Sequence, residues 1–334
     1  MAETGQKLAL VTGATGFTGG HLARVLLERG WKVRALARQH EAGRALAALG
    51  AEIVVGDITD RTAVAAAVAG CSHVFHIAAY YRGSSLDPEI YHAVNVEGTR
   101  HILEAAEAAG VERVVHCSTV GVHGDVTNVP ADETAPFAPG DIYQETKLEG
   151  EMLAAQAFAG RLPGAIVRPA GIYGPGDMRF LKLFRTIHKR QFRMFGTGEV
   201  LYHFTYVADL VEGILLAGTE PKALGETVII GGAQYITLNE LVRLVADAVG
   251  VAPPRGRLPI APLLVAARVS EAVCRPLGLN APLQVRQCDF FLKDRAFDIS
   301  KARRLLGFTP SVALDDGLRR TAEWYFREGH LKRK

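Results

Sequence analysis

The segment DIYQETKLEGE, residues 141–151, contains a phenol and an ammonium, those of Tyr143 and Lys147. The two residues lie four positions apart. On a helix, side chains at this spacing share one face. Two interpretations are open. The pair can belong to a charged, solvated helix face, or it can be a catalytic acid beside the cation that tunes its pKa. The segment alone does not decide between them, so the choice depends on the surrounding elements.

A glycine-rich loop near the amino terminus, in LVTGATGFTGGHLARVLLERG, follows an apolar run and opens a helical pattern. Gly13 allows the tight turn, Gly16 lets the backbone approach a pyrophosphate, and Gly19 permits close packing of helix on strand. The free N–H groups and the positive end of the helix dipole favour phosphate there. The pattern predicts dinucleotide binding by a loop that includes Thr15 and Phe17. The alternative is a glycine-rich turn without a ligand.

Two positions after predicted strands bear on the identity of the cofactor. NAD-binding proteins place an acidic residue after the second strand, but the segment VRALARQH has Ala37 and Arg38 there. An arginine can pair with a 2′-phosphate, so the sequence favours NADP(H) over NAD(H). Alternatively, Arg34 and Arg38 are only surface charges. Asp57, in GDITD, can accept a hydrogen bond from the adenine amino group or cap a helix beginning near Thr59.

The order of apolar and amphipathic segments predicts the fold class. Predicted strands cover 8–12, 32–36, 52–57, 73–79, 113–118 and 165–170, and predicted helices 15–28, 41–49, 89–109 and 140–158. Strands that alternate with helices indicate an α/β fold with a doubly wound, Rossmann-type parallel sheet. Beyond about residue 175 the pattern changes, with helices at 178–192, 237–250, 260–275 and 314–328 and a strand at 226–232. We therefore expect a dinucleotide-binding domain over 1–175, to which a strand and helix near 200–230 return, and a smaller lobe over 176–334.

Taken together, these segments resemble the extended short-chain dehydrogenase/reductase family, also called the NAD-dependent epimerase/dehydratase family. The resemblance covers nearly the whole chain. The motifs that carry it are TGATGFTGG, GDITD, HIAA, NVEGT, CSTVGVHG, YQETK, RPAGIYGPGD, FTYVADLVEG and FDISKARRLLGFTPSVALDDGLRRTAEWY. The carboxy-terminal segment PLQVRQCDFFLKDRAFDISKARRLLGF is similar to the 3β-hydroxysteroid dehydrogenase-like branch.

The resemblance implies a catalytic role for Tyr143 and Lys147, with Thr119 as their hydroxyl partner and Ser118 beside it. Hydride transfer to a carbonyl leaves an alkoxide that a tyrosine can protonate as general acid, and the reverse oxidation uses it as general base. Because an unperturbed tyrosine has a pKa of roughly 10, the ammonium and the nicotinamide ring are expected to lower it. Asn95, in NVEGT, is either a residue that steadies the site or a buried amide that satisfies local backbone.

The same resemblance assigns further contacts. Cofactor contacts beyond the glycine loop and Arg38 are Asp57, Ile58, Ala78, Ala79, Lys147, Pro169 and Ile172. Substrate contacts in the smaller, substrate-binding lobe and nearby are Tyr80, Arg179 and Tyr206, together with Tyr202 and His203. Alternatively, the aromatic residues of this group form the core of the lobe.

Three functions are compatible with these motifs. The first is an NAD(P)-dependent alcohol dehydrogenase or carbonyl reductase that acts on a sterol-like or other hydrophobic substrate, because the segment 258–275 is apolar. The second is a nucleotide-sugar epimerase or reductase, whose diphosphate could pair with cations between Arg179 and Lys189. Dehydratases of the family that the chain resembles usually carry an acidic pair after the catalytic threonine. Here Val120 and Gly121 follow Thr119, so the resemblance disfavours dehydration. The third is a non-catalytic NADP-binding sensor, against which the intact catalytic residues argue.

Composition narrows the class of protein further. The 334 residues carry a net charge of +3 with scattered basic residues, which argues against nucleic acid as the main partner. The cysteines, which lack metal-ligand or disulfide spacing, are Cys71, Cys117, Cys274 and Cys288. We expect no metal, no signal peptide, no transmembrane segment and a cytoplasmic enzyme with a small-molecule substrate. The resemblance also implies a homodimer that packs the helices 89–109 and 140–158.

Overall fold

A computed structural model describes residues 7–81, 87–274 and 281–333 of the chain. The amino-terminal residues 1–6, where no signal peptide is expected, lie outside the described residues. So does residue 275, the predicted end of one helix.

A seven-stranded sheet forms the centre of the molecule. Its strands are β1 (Leu8–Thr12), β2 (Lys32–Ala37), β3 (Glu52–Val55), β4 (His73–His76), β5 (Arg113–Cys117), β6 (Gly164–Pro169) and β10 (Thr227–Ile230). Their spatial order is β10-β6-β5-β4-β1-β2-β3, and every neighbouring pair is parallel. The order reverses between β1 and β4, which is the topological switch point where such sheets bind ligands. The predicted Rossmann-type α/β fold is confirmed.

Helices cover both faces of this sheet. They are α1 (Phe17–Glu28), α2 (His40–Ala47), α3 (Arg61–Val68), α4 (Pro88–His92), α5 (Gly98–Ala109), α6 (Ile142–Ala159) and α8 (Val207–Thr219). Apolar side chains of α3, α5 and α6 form one buried layer, and those of α1 and α8 form the other. Apolar strands that are buried on both faces explain the near-continuous hydrophobic runs of the sequence.

The long helix predicted over 89–109 is interrupted. Between α4 and α5 the chain forms a π-helical turn, Ala93–Glu97, with Asn95 buried at its centre. A Cβ atom on Gly150 of α6 would lie 2.5 Å from the Asn95 carbonyl oxygen, so α6 passes directly against this turn. Such π turns often mark functional positions, and the sequence periodicity alone does not reveal one.

The carboxy-terminal lobe joins two small sheets and several helices. Its strands are β7 (Gly171–Tyr173), β8 (Met194–Phe195), β9 (Leu201–Tyr206), β11 (Tyr235–Thr237) and β12 (Arg257–Leu258). Its helices are α7 (Leu181–His188), α9 (Leu238–Ala248), α10 (Ile260–Cys274), α11 (Val285–Cys288) and α13 (Leu314–Arg327). The helix α12 (Ser300–Leu306) instead packs its buried Ala302 and Leu306 into the core of the main sheet. The Thr237 hydroxyl caps the N-terminus of α9 and accepts a hydrogen bond from the Glu240 N–H at 3.1 Å. Between β9 and β11 the chain returns to the main sheet through α8 and β10.

Two histidines buried in β4 predict acid sensitivity. Burial, with Lys147 as a second cause, lowers the pKa of His76 to about 3. Burial and the nearby Lys7 and Arg113 lower the pKa of His73 to about 4. Each imidazole is therefore neutral when folded and binds a proton more readily when unfolded. Its contribution to stability is fully present above about pH 6.5 and is lost as the pH falls toward the folded value.

Chemical denaturation at a series of pH values tests this dependence. The free energy of unfolding is expected to fall below pH 6.5 by up to about 1.4 kcal/mol per pH unit for each histidine. His76 bonds to the hydroxyls of Thr12 and Thr99, both at 2.9 Å. The variant His76→Gln can keep these bonds and should lose less stability on acidification. The exposed control His40→Gln should behave as the wild type, and equal acid sensitivity in all three proteins would contradict the assignment.

Candidate active site

The glycine loop forms a cradle at the carboxyl edge of β1. Gly13 has a φ of +69°, and a Cβ atom there would lie 2.8 Å from the Ala78 nitrogen at the end of β4. A Cβ atom on Gly19 would overlap the Gly13 carbonyl oxygen, so α1 packs directly on the loop. Thr15 and Gly16 are exposed before the first turn of α1. The loop therefore presents free N–H groups at a helix N-terminus, which suits the pyrophosphate of a dinucleotide.

Arg179 lies over this loop. Its guanidinium carbon is 5.5 Å from the centre of the Phe17 ring, and Nη2 donates to the Ile172 carbonyl oxygen at 2.8 Å. Nε donates to the buried Asp177 carboxylate at 2.7 Å. The charge of Arg179 also acts on the Tyr143 phenol. It opposes the rise in the Tyr143 pKa that burial causes. It therefore stands between the phosphate loop and the candidate acid.

The two arginines of β2 and its end have different surroundings. Arg34 donates to the Glu52 carboxylate at 2.9 Å and to the carbonyl oxygens of Ala67 and Ala69 at 2.9 and 2.7 Å. It holds β2 to its neighbours and is not available to a ligand. Arg38 is exposed just beyond β2, where the ribose of a dinucleotide is expected. Of the two, only Arg38 fits a cofactor role.

The carboxylate of Asp57 closes a local turn after β3. It accepts the N–H and the hydroxyl of Thr59 at 2.9 and 2.8 Å. The alternative that Asp57 caps the next helix is wrong, because Asp60 accepts the free N–H groups of the first turn of α3. The side chain of Ile58 is buried in the core, so only its backbone can face a nucleotide.

The other predicted cofactor contacts lie along the same edge of the sheet. The Ala78 N–H donates to the Thr12 hydroxyl at 3.1 Å, which fixes the segment after β4 against β1. Ala79 follows it and is exposed. Pro169 ends β6, and Ile172 is half-buried in β7. All four predicted positions therefore lie at or just after the carboxyl ends of β4 and β6.

The Tyr143–Lys147 pair is not a solvated helix face. Asp141 caps the N-terminus of α6, which places Tyr143 in its first turn and Lys147 in its second. The Lys147 side chain is only 2% exposed and donates to the Cys117 carbonyl oxygen at 2.7 Å. The half-buried Tyr143 ring packs edge-on against Tyr81, with 4.6 Å between ring centres. A buried ammonium beside a phenol is the arrangement expected of a catalytic pair, not of a surface.

The electrostatics of this pair differ from the expectation. Burial raises the pKa of Tyr143, and burial lowers the pKa of Lys147. The Lys147 side chain donates to the Cys117 carbonyl oxygen, and the charge of Arg179 opposes the rise in the Tyr143 pKa. The sequence identified the pair but could not show that burial would outweigh the charge.

The two hydroxyls after β5 face different partners. The Thr119 hydroxyl accepts the Gly121 N–H at 3.0 Å and is half-buried at the carboxyl edge of the sheet. The Ser118 hydroxyl is buried and donates to the Glu151 carboxylate. The Glu151 carboxylate in turn accepts a hydrogen bond from Nε of Arg168 at 3.0 Å. Thr119 is thus the hydroxyl that the structure leaves at the edge, and Ser118 belongs to a buried polar network.

His123 completes the buried network. Its Nδ1 lies 3.2 Å from the Pro136 carbonyl oxygen, and its Nε2 lies 3.0 Å from Nη1 of Arg168. Burial and the Arg168 charge lower the pKa of His123. A neutral imidazole that donates from Nδ1 and accepts at Nε2 satisfies both contacts.

The buried side chain of Asn95 bonds to two separate segments of the chain. Its carboxamide oxygen accepts the Tyr80 N–H at 2.7 Å, and its nitrogen donates to the Tyr80 carbonyl oxygen at 3.2 Å. The same nitrogen donates to the Thr146 hydroxyl at 3.0 Å. Asn95 satisfies local backbone and, in doing so, joins the segment after β4 to the helix that carries Tyr143.

The predicted substrate residues do not all lie together. Tyr80 follows β4, near the site, and packs on Tyr91 with 4.8 Å between ring centres. Tyr206 is buried in the core of the lobe, 5.5 Å from the Tyr173 ring. Tyr173 and Tyr206 line a cavity of about 400 Å³, and none of the catalytic candidates lines it. Tyr202 and His203 are also buried. Arg179 is the predicted substrate residue whose charge acts on Tyr143. The aromatic residues Tyr202 and Tyr206 lie in the packing of the lobe.

Sequence reasoning missed three residues of the site. Tyr81 contacts the Tyr143 ring, and the Glu151–Arg168 ion pair lies directly behind Ser118. Two signals were present. Glu151 lies four residues after Lys147, on the same helix face, and Arg168 is a charge within an apolar strand, which requires a buried partner.

Comparisons with known proteins agree with this geometry. The model of the NAD dependent epimerase/dehydratase family matches residues 9–231. A Stigmatella aurantiaca 4-hydroxy-2-methyl-3-oxo-4-farnesyl-3,4-dihydroquinoline-1-oxide ketoreductase is 32% identical over 92% of this chain and 93% of its own. A Mycobacterium tuberculosis 3 beta-hydroxysteroid dehydrogenase/Delta 5-->4-isomerase is 35% identical over 95% of this chain and 90% of its own. The crystal structure of gox2253 superposes with a TM-score of 0.83 at 34% identity, over 98% of this chain and 100% of the other.

The family match covers more than half of the chain and includes the glycine loop, Tyr143 and Lys147. Among the described residues, no helix is long and apolar enough to cross a membrane. The chain is an NAD(P)-dependent enzyme that belongs to the NAD dependent epimerase/dehydratase family.

Proposed function

We propose that the enzyme transfers a hydride between the nicotinamide ring and a carbonyl or secondary alcohol, with Tyr143 as the acid and base. The observation that carries this proposal is the bond from Lys147, one helical turn after Tyr143, to the Cys117 carbonyl oxygen. Cys117 ends β5 two residues before Thr119, and β5 lies two strands from the glycine loop on β1. When bound, the nicotinamide dinucleotide supplies or accepts the hydride. The protein side chains then have only to orient the carbonyl and move one proton.

Each side chain has a distinct part in this proposal. The Thr119 hydroxyl donates a hydrogen bond to the carbonyl oxygen, and the Tyr143 phenol delivers the proton that the developing alkoxide needs. Lys147 holds the ribose hydroxyls of the cofactor and stabilises negative charge on the phenolate. Asn95 acts through its neighbours, because it ties Tyr80 and α6 together.

For the substrate we propose a lipophilic ketone or the corresponding alcohol, of the terpenoid or steroid kind. Two relatives that align over nearly the whole chain are named for a farnesylated ketone and for a 3β-hydroxysteroid. A screen of 3-ketosteroids and prenylated ketones, with the reduced cofactor, tests this choice. Turnover of these compounds with no turnover of nucleotide sugars is the expected result, and the reverse pattern would contradict it.

One observation supports a nucleotide-sugar epimerase or reductase as a second candidate. The outer face of α7 carries exposed cations that could meet a diphosphate, namely Lys182, Arg185 and Lys189. The non-catalytic sensor is disfavoured, because a sensor does not require a buried Tyr143–Lys147 pair.

For the cofactor we propose a preference for NADP(H) over NAD(H), based on the exposed Arg38. A charge-assisted bond to a phosphate contributes about 1.5–3 kcal/mol. The variant Arg38→Ala should therefore bind NADPH about 10- to 150-fold more weakly, while its affinity for NADH changes little. Fluorescence titration with both cofactors measures this ratio. The control Arg24→Ala removes an exposed arginine of α1, and an equal loss in both variants would remove the support from Arg38.

We also propose that the enzyme is a homodimer in which α5 and α6 of each subunit form the interface. We further propose that it resides in the reducing compartment of the cytoplasm. Small and apolar exposed residues on these helices, including Met152, Ala155 and Ala108, permit close approach of a second copy. All four cysteines are free, which suits a reducing compartment. Light scattering of the purified enzyme tests the oligomeric state, and loss of the dimer in Ala155→Arg would support this interface.

A further inference from the structure

The outward face of α10 is apolar. The side chains of Val265, Val269 and Val273 are 57%, 56% and 58% exposed and lie four residues apart, so they form one stripe. Smaller exposed residues widen the stripe, namely Ala261, Pro262, Ala266 and Ala272. The opposite side of the helix packs on the lobe through the buried Ala267. An isolated exposed apolar residue is ordinary, but a contiguous apolar helix face marks an interaction surface.

Positive charge borders this stripe. Arg255 and Arg257 are exposed just before α10, and Arg268 is exposed beside the valines. The single acidic residue between 251 and 274, Glu271, is half-buried and accepts the Val285 N–H at 2.9 Å. The surface therefore combines an apolar face with unopposed cations along its border.

Helix α10 is connected to the active site through α11. Glu271 of α10 holds the N-terminus of α11 at Val285, and Arg286 of α11 pairs with Asp141 at 2.9 Å. Asp141 caps α6 two residues before Tyr143. The helix that carries the apolar face is therefore linked through α11 to the N-terminus of α6, which carries Tyr143.

We propose that α10 docks the enzyme on the surface of a membrane that contains anionic lipids. A helix of 15 residues is about 22 Å long, too short for a hydrocarbon core of about 30 Å, so it lies in the plane of the interface. Its valines enter the boundary between headgroups and acyl chains, and its arginines meet the lipid phosphates. This docking does not depend on the proposed substrate, but it would bring a lipophilic ketone to the rim of the site.

The size of the face argues against a second copy of the chain as the occupant. A stripe about 22 Å long and about 10 Å wide covers about 220 Å², whereas a stable interface buries about 800 Å² per partner. This small area favours a lipid surface.

Flotation of the full-length enzyme with vesicles tests the proposal. At low salt, the enzyme is expected to float with vesicles of phosphatidylcholine and phosphatidylglycerol and to bind pure phosphatidylcholine at least tenfold more weakly. The variant V265N/V269N/V273N should lose at least tenfold in binding to the anionic vesicles. The arginine variant R255Q/R257Q/R268Q should also bind the anionic vesicles more weakly. The binding that this variant keeps should depend less on salt concentration than wild-type binding does.

The matched control is Val55→Asn, which changes a valine of β3 that is 56% exposed and lies far from α10 in the sequence. It should bind vesicles as the wild type does, and circular dichroism should show all variants folded. Three outcomes would overturn the proposal. The first is a wild-type enzyme that does not float with the vesicles. The second is a triple valine variant that floats as well as the wild type. The third is a wild type that is a dimer in solution while the triple valine variant, alone among the variants, is a monomer.

Discussion

Replacing Tyr143 by phenylalanine is expected to lower kcat by about 10²- to 10⁴-fold, because the substitution removes the proton that the developing alkoxide takes up. The ring of Phe can keep the edge-on contact with Tyr81, so the fold and the binding of the dinucleotide should change little. Steady-state kinetics, together with titration of the cofactor, separate the two effects. A large loss of kcat with an unchanged dissociation constant of the cofactor is the result that fits an acid and base.

Tyr81→Phe is the matched control, because it removes a neighbouring phenol and keeps its ring. It is expected to change kcat by less than tenfold. The pH profile adds an independent measurement. Since burial raises the pKa of Tyr143, the phenol is protonated at neutral pH, so the oxidation of an alcohol should accelerate as the pH rises. Activity that survives in Tyr143→Phe, or an oxidation rate that does not depend on pH, would assign the proton transfer to another group.

The sequence predicted the sheet well because its signals are local. An apolar run between turn residues identifies a parallel strand, and a glycine at a fixed offset identifies the phosphate loop. The Tyr143–Lys147 pair was also visible, because helical spacing alone puts both side chains on one face. These features depend on neighbours within a few residues.

The features that the sequence did not predict depend on contacts between distant segments. The π turn at Asn95 packs against α6 at Gly150, more than 50 residues later. Likewise, the partner of Lys147 is a backbone carbonyl oxygen at Cys117, which no side-chain pattern shows. The aromatic residues near 202–206 have the composition of a binding site, and only their packing showed that Tyr206 belongs to the core of the lobe.

Breaking the buried ion pair between Glu151 and Arg168 is expected to cost about 3–5 kcal/mol of unfolding free energy, because one charge then remains buried without its partner. Both side chains are nearly inaccessible, at 3% and 4% exposure. The variants Glu151→Leu and Arg168→Met each remove one charge, and denaturation measures the loss. A matched control at the surface is Lys301→Met, which breaks the partly exposed pair with Glu226 and should cost no more than about 1 kcal/mol.

The double variant E151L/R168M separates the ion pair from simple packing. With both charges removed, no unpaired charge remains, so the double variant should be more stable than Glu151→Leu alone. Losses that simply add would contradict the coupling. We infer a positioning role for the pair as well, because Glu151 holds Ser118, which directly precedes Thr119. We therefore expect the double variant to fold but to lose kcat more than cofactor affinity, since the Thr119 hydroxyl would no longer be fixed where the carbonyl oxygen must lie.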